Sequence, residues 1–173
     1  MSEKKEPPPE PWLRGTLQEV PPLARAVLHA LELAREDLHK WCGALSAEQV
    51  HAQPAGLASV AFQLQHIAGS IDRLLTYAEG GALSGTQRQA LQNEKLPGGT
   101  TEEVLAELDA AIARATERVR ALASRDSALP RMVGKKRLPT TLGGLLVHVA
   151  DHTQRHVGQA IVTAKLVSAG EAL

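Results

Sequence analysis

Four stretches of this chain place apolar residues every three or four positions, and no stretch alternates apolar with polar. The first runs Leu23, Val27, Leu31, Ala34, Leu38, Trp41, Leu45, and the second Val60, Leu64, Ile67, Ile71, Leu74, Leu75, Ala78. The third is Val104, Leu108, Ile112, Ala115, Val119, Leu122, and the fourth Leu142, Leu145, Val149, Ala160, Ala164, Val167. This spacing follows one face of a helix of 3.6 residues per turn, whereas a half-buried strand would show a period of two. Residue usage agrees. Ala and Leu dominate, and the only aromatic residues are Trp12, Trp41, Phe62 and Tyr77. Ala and Leu favour helices, while sheets draw on aromatic and β-branched side chains.

The punctuation between the stripes sets the expected boundaries. Pro21-Pro22 opens the first helix, since proline is tolerated in a first turn. Ser46-Ala-Glu-Gln49 reads as a capping box opening one short turn, and the stretch from Ala52 to Gly56 breaks the chain. A second long helix is expected from about Leu57 to Ala78, ended by Gly80-Gly81. Residues 82–99 are poorly patterned, with one short helix near Gln87 to Gln92. Thr100-Thr-Glu-Glu103 is a capping box for the third long helix. Residues 124–139, with Pro130, Gly134 and Pro139, read as a loop, and the last helix spans about Thr140 to Val167. The expectation is an all-α four-helix bundle, one domain over residues 12–173 without internal repeats. A flexible, disordered proline-rich N-terminal arm, residues 1–11, should precede it.

Charge and length narrow the function. At 173 residues the chain has the size of one globular domain, and its 43% apolar and 22% charged residues suit a packed core. Nineteen Lys and Arg balance nineteen Asp and Glu, and the densest basic cluster is Lys135-Lys136-Arg137. Nucleic acid is therefore not expected as a partner, because binding phosphates needs a basic surface. The single Cys42 excludes an intramolecular disulfide and a cysteine-based zinc cluster. The charged, proline-rich opening lacks the apolar stretch of a signal peptide, and no run of 18 apolar residues occurs. A cytoplasmic protein with no membrane partner is the expectation.

Chemistry is to be sought among seven histidines, three of them between positions 148 and 156. His152 and His156 fall within the stripe of the last helix, where a bundle ordinarily places Leu or Ala. Imidazoles at i and i+4 on one face converge within reach of one metal ion; hydrogen-bonded core histidines are the competing reading. His148 lies at the edge of the stripe and reads as a flanking residue. His29 and His39 lie off the first stripe and His51 in a loop, so these three are expected in solvent. His66 shares a face with Ser59, Gln63, Ser70 and Tyr77, and periodicity alone leaves it exposed.

The segments Phe62-Gln-Leu-Gln-His66-Ile-Ala-Gly-Ser70 and His152-Thr-Gln-Arg-His156-Val-Gly-Gln159 resemble the two signature regions of DinB-like proteins. That superfamily includes the YfiT-type metal-dependent hydrolases and the mycothiol-dependent maleylpyruvate isomerase-like enzymes. The resemblance covers residues 20–168. It implies a four-helix bundle with an open metal site whose ligands are His66, His152 and His156, against the periodicity reading of His66. Three neutral imidazoles leave a position for water or substrate and suit zinc or nickel. Gln159 would orient a ligand or bound water, and Arg155 would hold a carboxylate of a substrate or thiol cofactor unless it is simply solvated. No Asp or Glu on the stripe beside the histidines offers itself as a base, and Asp151 points away.

The resemblance implies a metal-dependent enzyme acting on a small molecule, a thiol S-transferase or isomerase using a low-molecular-weight thiol, or a hydrolase on the same open site. The alternative is a non-catalytic metal-binding or dimerisation bundle, stress-induced in character. A homodimer is compatible with the Leu-rich helices.

Overall fold

The computed structural model describes residues 8–96 and 98–170. Pro21 and Pro22 open α1 (Pro22–Cys42), and a complete Ser46/Gln49 capping box opens the short α2 (Ala47–His51). Ser59 accepts from the Phe62 N–H to start α3 (Val60–Ala78), and a second capping box, Ser84/Gln87, starts α4 (Gly85–Asn93). Thr100 and Glu103 cap α5 (Thr101–Leu122), with Glu102 and Glu103 on the positive end of its dipole. Thr141 caps α6 (Leu142–Ser168).

The four long helices pack in a ring, α1 beside α6, α6 beside α3, α3 beside α5 and α5 beside α1. The stripes face inward. Leu31 and Leu38, Leu64 and Ile67, Leu108 and Val119, and Leu142 and Val149 are essentially inaccessible to solvent. Trp41 departs from its stripe: at the end of α1 it is 38% exposed, and the Lys40 and Lys165 ammonium groups lie 5.0 and 4.3 Å from its ring centroid. Thr163 Oγ1 donates to the Ala58 carbonyl, and further along Gln63 meets His156. These contacts fix α3 and α6 as antiparallel neighbours along a shared groove.

The segment expected to be a loop before the last helix holds a small antiparallel hairpin, β1 (Pro130–Val133) with β2 (Leu138–Thr141). Its register pairs Pro130 with Thr141 and Val133 with Leu138. Each strand is an edge, where a proline without an N–H is tolerated, and Gly134 supplies the positive φ of 71° that starts the turn. Residues 1–7 of the expected arm lie outside the described residues. Of the rest, Pro11 is buried at the head of a single turn, and the Arg14 guanidinium joins the Pro9 carbonyl to Glu32 and Glu36 of α1. Among the described residues no helix is long and apolar enough to cross a membrane.

Candidate metal centre

The groove between α3 and α6 brings His66, His152 and His156 together. One nitrogen from each lies within 4.8 Å of the others. Ring centroids are 4.5 Å apart for the i, i+4 pair His152 and His156 on α6, and His66 stands 5.2 and 4.4 Å from them. The periodicity reading of His66 as exposed is thereby overturned: its side chain is 20% exposed. α3 is buried on two faces. One packs apolar residues into the core. The other turns Ser59, Gln63, Ser70 and Arg73, each less than a tenth exposed, toward the groove. Phe62 stacks on the His66 ring at 5.4 Å and 13°.

Hydrogen bonds set the tautomers. His156 Nδ1 lies 2.7 Å from Gln63 Oε1, and His66 Nδ1 lies 2.8 Å from Glu94 Oε2. Both partners are acceptors, so in the neutral ring Nδ1 carries the proton and Nε2 keeps its lone pair. Arg73 Nη1 donates to the other Glu94 oxygen at 2.5 Å, and Arg73 Nη2 donates to Ser70 Oγ. The Ser70 hydroxyl in turn is 3.3 Å from His66 Nε2, a long contact that leaves this nitrogen weakly engaged. His152 Nδ1 is buried with no hydrogen-bond partner at all. Burial, then the neighbouring His156, His66 and His148, push the His152 imidazole down to about 4. Burial, then His66 and Arg155, also lower His156.

A divalent metal ion fits this donor set. Two imidazoles have their outer nitrogens committed to acceptors, the pattern seen behind metal ligands. The third has a buried nitrogen that no protein group satisfies, and low basicity keeps His152 and His156 neutral, as ligation requires. Three protein ligands leave room for a further one.

The remaining sequence candidates surround this cluster. His148 is half-buried, 5.4 Å ring to ring from His152, with Nδ1 2.9 Å from Asp151 Oδ1. Arg155 and Gln159 are both exposed and line, with Gln63, a cavity of about 550 Å³ beside His156. A cavity of about 440 Å³ opens beside Phe62 and Glu94, with His51, Lys95 and Leu96 on its walls. His39 is exposed as expected, against Asp109. Two histidines correct the expectation of solvent. His29 is 7% exposed, with Nε2 3.1 Å from Thr16 Oγ1, and His51 closes α2 and donates to the Gly99 carbonyl. Glu94 and Arg73 were not anticipated. Glu94 follows α4 in the poorly patterned stretch, and its available signal was Arg73, a cation two turns beyond His66 on one face that needs a buried anion.

A family model described as the DinB superfamily matches residues 30–160, a span that holds all three histidines and most of the bundle. No curated protein matches the chain.

Proposed function

The chain belongs to the DinB superfamily, and from that footing we propose that it is a metal-dependent enzyme, a thiol S-transferase or isomerase acting on a small molecule. His66, His152 and His156 hold the ion, and zinc and nickel both suit three imidazoles. The observation that carries this reading is the buried His152 Nδ1 without a partner, beside two imidazoles whose outer nitrogens are already engaged. When bound, the ion supplies a Lewis acid that lowers the pKa of a thiol or water and polarises an electrophile.

The chain's own groups supply the rest. The lowered basicity of His152 and His156 keeps both rings neutral where an imidazolium would repel a cation. Arg155, on the wall of the cavity beside His156, binds a carboxylate of the thiol or its acceptor. His148 stands outside the ligand set, beside His152 and close to the Asp151 carboxylate, where it takes the proton from an entering thiol. Phe62, stacked on His66, shields that side from water.

Elemental analysis of protein purified without added metal or chelator is expected to find about one zinc or nickel per chain. The loaded protein should then conjugate a glutathione-like thiol to an electrophile faster than it cleaves simple esters or amides. Preferential ester or amide cleavage would assign the same site to hydrolysis. Bound metal with no vacant position and no turnover would leave a non-catalytic metal-binding bundle.

A further inference from the structure

α4 buries none of its residues, and Leu91 and Leu96 are 43% and 61% exposed. Little apolar surface therefore holds this connection to the bundle. Polar contacts do so instead. Gln87 reaches Asp72 and Thr76 of α3, and Glu94, 7% exposed, reaches Arg73 and His66. The fit of Glu94 is close. A Cβ built at Gly69 would collide with Glu94 Oε1 and Arg73 Nη1, so the missing side chain of Gly69 is the notch in α3 that admits the pair.

We infer that Glu94 is a positioning residue for the metal centre, and that metal binding and docking of the 93–96 segment are coupled through the Glu94–His66 hydrogen bond. The inference rests on the proposed three-histidine metal site. The physical basis is an imidazole whose one nitrogen serves a cation, so that its other N–H becomes a stronger donor to a carboxylate. The carboxylate likewise fixes the ring with Nε2 turned to the ion. Arg73 holds Glu94 from the opposite side, so the carboxylate is fixed before any ion arrives. Coupling of this kind is reciprocal. Whatever factor Glu94 contributes to metal affinity, the ion returns as stability of the docked segment. Glu94, Lys95 and Leu96 form one wall of the 440 Å³ cavity, so loading the centre also firms a wall of the chamber beside it.

The test combines zinc affinity, measured by competition with a chromophoric chelator, with amide hydrogen exchange of residues 93–96. In the wild-type chain, zinc should slow exchange in this segment. Glu94→Gln should weaken zinc binding about 10- to 100-fold, the usual effect of losing a group behind a ligand, and abolish most of the zinc-dependent protection. Should Glu94→Gln not fold, Gly69→Ala reads the same step. It removes no charge and favours the helix, yet expels Glu94 from its notch, so zinc affinity should fall in the same way. Wild-type zinc affinity in the folded variant, within twofold, with protection unchanged, overturns the role of Glu94 alone. A wild-type chain that binds no zinc overturns the metal site and this inference together.

Discussion

Because burial and its imidazole neighbours push His152 down to about 4, the native state refuses a proton that the unfolded chain accepts near 6.5. The unfolded state therefore binds more protons between about pH 6.5 and 4, and stability rises with pH across that window. The contribution is fully present above 6.5 and is lost as pH falls toward 4, with His156 acting in the same direction. Thermal melts of the metal-free protein should show the midpoint falling from pH 6.5 to 4, less steeply in His152→Leu. A wild-type profile as flat as that of the variant would contradict the burial of this ring. Ligand loss is the companion prediction. His66→Ala, His152→Ala and His156→Ala should each remove most of the bound metal, because two imidazoles hold a divalent cation weakly. His148→Ala should keep most of it, since its partner is Asp151. Metal analysis in which His66→Ala stays loaded while His148→Ala is empty would place the site on α6 alone. His152 and His156 were legible as intruders in an apolar stripe. His66 was legible only by resemblance, because the second buried face of α3 is polar, and periodicity registers apolar burial alone.

Elements were easier to read than side chains, for a physical reason. Each long helix carries an apolar stripe, interrupted on α6 by His152 and His156, and Ser59, Thr100 and Thr141 cap three of them, so stripe and cap together place each helix to within a few residues. Leu64 and Leu108 lie fully buried on α3 and α5. Leu64→Ala and Leu108→Ala should each destabilise the protein by about 2–5 kcal/mol, the transfer loss plus the cavity left behind. Urea titration checks this, and two silent substitutions would contradict the facing of α3 against α5. The hairpin was missed because its strands are four residues long and each contains a proline. So brief a segment shows no period, and pairing stands in for pattern. Trp41 fits the apolar spacing, but in the last turn of α1 the inward position belongs to Cys42, which is fully buried, and two lysines reach the half-exposed Trp41 ring.

At the scale of the whole molecule, the core and the candidate metal centre are separate structures. The core is a continuous cluster of Leu, Ile, Val and Ala contributed by all four long helices, while the histidines line a groove on its outside, between α3 and α6. A fold with its own core does not need the ion, unlike a zinc finger, whose binding energy is its folding energy. The metal-free chain is therefore expected to keep its helical circular dichroism and, on heating, to unfold in one cooperative transition. Zinc should nevertheless raise the melting point, because an ion that binds only the native arrangement adds RT ln(1 + [L]/Kd), about 2.7 kcal/mol at a hundredfold excess over Kd. For a domain of this size each kcal/mol is worth about 2–4 °C, so the expected rise is about 5–11 °C at that excess. The shift should grow with the logarithm of free zinc and vanish in His152→Ala. Metal-free protein that has lost its helical signal would show that the groove, rather than the apolar cluster, holds the bundle together. A shift that persists without His152 would place the stabilising ion somewhere other than between α3 and α6.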